Sequence, residues 1–250
     1  MHPALSQQTH RPWPIPDSPW TWRQSWIDLL FAHWELPVDT VRKLIPDSLE
    51  VDTFQGRTFI GVVPFRMEGV TRRPLPALPW LSAFPELNVR LYVRHRDRPG
   101  VYFLSLDAGN PIAVWAARTF FHLPYYWSRM QMAGNQEGGF DYGSHRRIGS
   151  EKARFQANYR PIGPAFVPDP ETLERFLVER YCLYTTDRRG RLLRGEVHHA
   201  PWQVRPAEAA IDATPLLKSH GLNVTGQPHL LYSKGVDVVL WGLKNVEVSH

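Results

Sequence analysis

Residues 86–94 read "ELNVRLYVR", and this short stretch decides the fold. Leu87, Val89, Leu91 and Val93 fall on one face of an extended chain, and Glu86, Asn88, Arg90 and Tyr92 on the other. Only a strand sends successive side chains to opposite sides. A partner strand follows in "VYFLSLD" (101–107), with a turn expected at Arg98-Pro99-Gly100. The same alternation returns in "EKARFQANYR" (151–160), where Ala153, Phe155, Ala157 and Tyr159 share a face.

Outward from there, more strands are expected. "SWIDLLFAHWEL" (25–36) is one, closed by Pro37, and 49–67 gives two with a turn at Gln55-Gly56. A hairpin with Gly190 in its turn covers 183–202, and a mostly buried strand covers 235–243. Helical spacing appears at 38–45, at 111–122 after the Asn110-Pro111 start, at 169–181 with Asp169 as cap, and at 213–222 with Thr214 as cap and Gly221 as stop. The 111–122 helix is apolar almost all round, which predicts deep packing. Proline-rich 71–85 reads as a loop, either a wall of a site or a stiff surface crossing.

About eight to ten strands, three or four short helices and no βαβ alternation predict an α+β fold: a mainly antiparallel, closed, barrel-like sheet with a few flanking helices. Residues 1–20 read as an extended arm and 21–250 as a single domain. The 23 prolines of the 250-residue chain fit such short, interrupted elements.

Charge and motifs narrow the function. The net charge of +5 is 29 basic residues against 24 acidic ones; 24 of the 29 are arginines, scattered singly or in pairs, and no groove-reading motif accompanies them. Nucleic acid is therefore not expected. The tightest basic runs, 188–191 and 145–147, look turn-like. Cys182, the one cysteine, reads as a buried apolar residue, and with no signal-peptide pattern and no apolar run of membrane-spanning length the expected location is cytoplasmic. Dinucleotide, phosphate-loop, nucleophile-elbow and zinc motifs are absent, and His198-His199 point to opposite faces of a strand. Neither a cofactor nor a metal is expected.

The residues able to carry chemistry cluster in two places. On 86–94, a carboxylate, an amide and a guanidinium (Glu86, Asn88, Arg90), with Tyr92 beyond, lie within reach of one ligand. The plainer reading is a solvated strand face; the functional one is the inward face of a barrel-like strand. In "FFHLPYYWSRM" (120–130), a helix ends at Pro124 and delivers Tyr125 and Tyr126. Arg118 and His122, four residues apart, share a helix face; the plainer reading pairs Arg118 with a carboxylate such as Asp107.

The runs "VDTVRKLIPDSLEVDTFQGRTFIGVVPFRMEGV", "LPWLSAFPELNVRLYVR", "PGVYFLSLDAGNPIAVWAARTFFHLPYYWSRM" and "LYSKGVDVVLW" resemble the uncharacterised bacterial YqjF-like family over about residues 20–243. That family is similar in fold to acetoacetate decarboxylase. The resemblance implies a small-molecule pocket and allows a homo-oligomer. It also implies a position for a Schiff-base lysine pair, after a helix and a proline, where this chain has Pro124-Tyr125-Tyr126. Tyrosine forms no imine, so Schiff-base decarboxylation is not expected. Glu86 would match the decarboxylase's substrate-facing glutamate, and Arg90 would hold a carboxylate.

Three functions follow as expectations. The first is non-covalent binding of a small organic acid or carbonyl compound by Glu86, Asn88, Arg90, Tyr92, Arg118, His122, Tyr125 and Tyr126. The second is acid–base chemistry on oxo acids or related carbonyls with Glu86 or Tyr125 as the catalytic group. The third is a non-catalytic interaction module using the aromatics of 120–130.

Overall fold

The computed structural model describes residues 2–74, 83–147 and 152–246. A 3-10 turn at Pro3–Ser6 precedes β1 (Trp22–Leu36), α1 (Val38–Arg42), β2 (Glu50–Val51) and β3 (Thr58–Arg72). Next come β4 (Phe84–His95), β5 (Arg98–Ala108), α2 (Pro111–Phe120), β6 (Tyr125–Gly134), β7 (Phe140–Arg146) and β8 (Arg154–Pro161). α3 (Leu173–Val178), β9 (Cys182–Thr186), β10 (Leu192–His199), β11 (Arg205–Asp212), α4 (Thr214–Lys218), β12 (His229–Leu240) and β13 (Lys244–Asn245) follow.

Among the described residues all 13 strands belong to one sheet that branches and closes on itself, the ring-like α+β architecture expected. β12, β1, β3, β4, β5, β9 and β10 pair in sequence, and β10 returns to β12. A second path leaves β5 through β6, β7, β8 and β11 and rejoins at β12. Among the strands common to both paths, β4 buries both faces along most of its length. Leu87, Val89, Leu91 and Val93 of β4 join one core with Leu30, Ala32, Tyr142, Phe155 and Tyr159. The opposite face of β4 looks into the first ring, among Leu29, Phe31, Val63 and Phe65.

β1 serves both interiors by breaking its own alternation. Against β3 its register slips by one residue between Ile27 and Ala32. Asp28 lies in this stretch with φ 55, the left-handed conformation that Asp tolerates better than most residues. Its carboxylate accepts hydrogen bonds from Tyr232 Oη and Lys234 Nζ, both at 2.8 Å. Its carbonyl accepts one from Tyr159 Oη at 2.7 Å. Opposite, Gly235 at φ 143 pairs with Ile27; a side chain there would meet the Trp26 carbonyl at 2.4 Å.

Several expectations need correction. β4 and β5 pair as far as His95 opposite Arg98, so the turn is Arg96-Asp97, with Arg96 at φ 57, and not 98–100. The described residues include a βαβ unit: β5, α2 and β6 form a parallel crossover with Leu106 opposite Tyr125. α2 is capped by the Asn110 side chain as expected, but it is not deeply packed: Trp115 is 63% and Ile112 51% exposed. Its alanines pack inward and leave the large side chains outside. Thr172, not Asp169, caps α3, because Glu171 at φ 69 holds the preceding chain out of helical geometry. Thr214 is the first residue of α4 rather than its cap. The ends of the presumed 71–85 loop belong to β3 and β4, and 75–82 lie outside the described residues.

Arg146 is not in a turn. It is a buried strand residue, and its Nε donates to Asp107 Oδ1 at 2.8 Å. Ser105 Oγ accepts from its Nη2 at 2.6 Å, and the guanidinium lies 4.1 Å from the Tyr126 ring centre. Asp107 is therefore taken by Arg146, and Arg118 is exposed. Removing one member of a buried ion pair leaves the other charge uncompensated. Asp107→Ala is expected to cost roughly 3–5 kcal/mol in urea unfolding, whereas Arg118→Ala should stay within about 0.5 kcal/mol of wild type.

Candidate functional site

The polar face of β4 is not solvated. Glu86, Asn88, Arg90 and Tyr92 are 2%, 7%, 7% and 0% exposed. Glu86, Asn88 and Arg90 line a cavity of about 80 Å³ inside the first ring. Tyr125, first residue of β6, reaches the same cavity because the parallel crossover sets β6 beside β5. A single water needs about 10–15 Å³ of such space, so a few heavy atoms fit.

A second cavity of about 120 Å³ lies beneath α2. Glu86 and Tyr125 belong to the walls of both, together with Gln24, Met67, Leu123, Leu183 and Leu240. The inner chamber holds the polar groups of β4. The outer chamber is apolar, with Val70, Phe84, Phe121 and the inward alanines of α2 in its wall.

At the junction, Tyr125 Oη donates to Glu86 Oε2 at 3.0 Å. From the other side of the sheet, Tyr142 Oη donates to the Glu86 carbonyl at 2.7 Å. Burial pushes the Glu86 carboxyl up to about 8, against the opposing effect of the Tyr125 hydrogen bond. The Tyr125 ring is half-buried, but its hydroxyl end lies inside, and burial first and Glu86 second push it well above the usual tyrosine value. At neutral pH the pair holds both protons, so Glu86 is a neutral carboxylic acid with a proton to donate.

Arg90 has no such balance. Among the described residues no carboxylate lies within 4.0 Å of it. Its Nη2 donates to the Leu177 carbonyl at 3.0 Å and to Tyr92 Oη at 3.3 Å, and its Nε has no partner. The rings of Phe31 and Tyr92 flank the guanidinium at 5.5 and 5.7 Å. Asn88 Oδ1 is also buried without a partner. The other guanidinium of this wall, Arg180, is neutralised by Asp52.

The expected site residues thus divide. Glu86, Asn88, Arg90 and Tyr125 meet at one cavity. Tyr92 stands behind Arg90, donating to the Leu177 carbonyl at 2.8 Å and meeting His33 Nε2 at 2.7 Å. Burial, then Arg90, pushes His33 well below its usual value, so it is neutral. Tyr126 points to the opposite side from Tyr125, onto Arg146. Arg118 and His122 line a shallow outer groove between α2 and the β9 end, with Trp115 and Arg188.

Sequence reasoning missed Gln24 and Trp26 of β1, Arg180, and the alanines Ala113, Ala116 and Ala117. The first two were hidden by the bulge: Gln24 and Trp26 face the cavity before Asp28, and Leu29 and Phe31 after it. Among the described residues no His/Cys/Asp/Glu group could hold a metal ion, and no lysine lines either chamber.

This ring with its internal polar strand defines an acetoacetate-decarboxylase-like fold. Acetoacetate decarboxylase from Legionella pneumophila superposes with a TM-score of 0.63 at 14% identity, covering 97% of this chain and 93% of its own. The enduracididine biosynthesis enzyme MppR, complexed with pyruvate, gives 0.64 at 13% identity, covering 96% and 95%. The chain itself belongs to the DUF2071 family, described as an uncharacterized conserved protein, whose pattern it matches over residues 23–237. It is 43% identical over 231 residues to "Uncharacterized protein YqjF" of Bacillus subtilis (strain 168), across 92% of this chain and 94% of that one.

The raised Glu86 carboxyl has a signed consequence. The folded protein holds this proton up to about 8, while the unfolded chain releases it near 4.5. Stability is therefore lost as pH climbs through that window. Glutamine cannot ionise, so the melting temperature of Glu86→Gln should gain on wild type between about pH 5 and pH 9. A difference that stays flat with pH in calorimetry would remove the shifted carboxyl from the account.

Proposed function

We propose that the inner chamber binds a small organic carboxylate or carbonyl compound without a covalent lysine step. The observation that carries this reading is Arg90: a buried guanidinium with no carboxylate partner among the described residues, facing a cavity in which the Glu86 carboxyl keeps its proton. A buried charge is stable only when paired, and a ligand carboxylate supplies the missing charge. Asn88 adds an unpartnered acceptor. The complex of the fold neighbour MppR with pyruvate supports the same ligand class.

A second reading adds chemistry. The Glu86–Tyr125 pair places a protonated carboxyl, poised near neutrality, beside the bound ligand. A carbonyl oxygen held there would receive that proton as negative charge develops on it, with Glu86 as general acid and Tyr125 holding the resulting carboxylate. The free, buried Cys182 fits a cytoplasmic location. The interaction-module reading is the weakest, because Tyr125 turns its hydroxyl inward and the exposed large apolar side chains of this region are Ile112 and Trp115 of α2.

The test is a thermal-shift series with small oxo and hydroxy acids on wild type and Arg90→Ala. A ligand about a hundredfold above its Kd stabilises by ~2.7 kcal/mol, about 5–10 °C for a domain of this size. The shift should appear in wild type and vanish in Arg90→Ala. Shifts that persist in Arg90→Ala, or none in wild type, defeat the reading.

A further inference from the structure

The two chambers share a wall that includes Glu86 and Tyr125, and they differ in kind. The inner one carries Arg90 and Asn88. The outer one offers Val70, Phe84 and Phe121 and, from α2, Ala113, Ala116 and Ala117 at the i, i+3, i+4 spacing of one helix face. At about 120 Å³ it approaches the roughly 150 Å³ of an apolar cavity that admits benzene. A three-carbon acid gripped by Arg90 would leave this space empty. Among the described residues its wall carries no charged group besides Glu86, and its other polar groups are Gln24, Tyr125 and the Trp22 indole, so it suits no second charged group.

We propose that the ligand is an organic acid with an apolar tail of about phenyl size. This rests on the carboxylate reading of the inner chamber. The carboxylate pairs with Arg90, the middle of the molecule lies against Glu86 and Tyr125, and the tail fills the outer chamber under α2. Ala113, Ala116 and Ala117 set the tail's size: their methyl groups form the roof, and any larger side chain would occupy the tail's volume. The helix keeps its bulk on the other side, at Ile112 and Trp115.

Titration calorimetry with pyruvate, 2-oxohexanoate and phenylpyruvate tests this on wild type, Ala117→Leu, Ala113→Leu and the outer-face control Ile112→Ala. In wild type, affinity should rise from pyruvate to phenylpyruvate by roughly tenfold or more, the effect of burying an aryl group. Either leucine variant should erase most of that gain and leave pyruvate binding within about threefold of wild type. Ile112→Ala should keep the gain. Two alanine sites guard against one variant failing to fold. Equal affinity for pyruvate and phenylpyruvate in wild type overturns the tail proposal and leaves the carboxylate reading standing. A leucine variant that weakens both acids equally also overturns it. If no acid binds at any length, the carboxylate reading fails and the tail proposal falls with it.

Discussion

The rest of the molecule depends on one constraint: β4 is buried on both faces, and one of those faces is polar. A strand of this kind normally reads as a continuous apolar run. Here Leu87, Val89, Leu91 and Val93 meet that expectation on one side only. The other side carries Glu86, Asn88 and Arg90 into a ring of strands closed by the β10–β12 pairing. Three consequences follow from desolvating those groups. Glu86 keeps its proton, Arg90 is left with an unbalanced charge, and the surrounding wall must supply apolar packing around an incomplete set of hydrogen bonds. The fold accepts these costs at one place and compensates for them in the shared cores.

The contrast with the Arg146–Asp107 pair makes the point. Both arginines are buried to a similar degree. Arg146 has a carboxylate, a serine hydroxyl and a tyrosine ring arranged around it. Arg90 has carbonyl, phenol and ring contacts but no anion, and its Nε is orphaned. The first arrangement is self-sufficient and belongs to the architecture. The second is complete only with something added.

How much of this was legible in the sequence follows the regularity of each element. β4 and β8 alternate without interruption, so their two faces could be assigned directly, and Ala153, Phe155, Ala157 and Tyr159 are indeed the buried set. That a polar face lay inside could not be read from alternation, because the pattern distinguishes two sides and not which of them meets water. β1 was recognised as a strand but not as a wall of the site, since the Asp28 bulge reverses its phase midway. α2 looked apolar all round because Trp115 and Ile112 count as hydrophobic wherever they point; the alanines that form the chamber roof gave no signal of their own. Arg146 was misplaced because two adjacent basic residues after a histidine resemble a turn, and its partner Asp107 lies far away in the chain.

The pairing of β1 with β12 also governs how the molecule comes into being. Trp22, near the start of the chain, stands opposite Leu240, near its end. Contacts this remote in sequence must overcome a large loop-closure entropy before they return any stabilisation, and sheets built on them form slowly. On a ribosome, β1 and β3 can associate early, but the other edge of β1 stays unpaired until β12 has been made. Until then the polar face of β4 remains open to water. The isolation from water that gives Glu86 its shifted carboxyl and Arg90 its unmet charge thus depends on strands more than a hundred residues further along the chain.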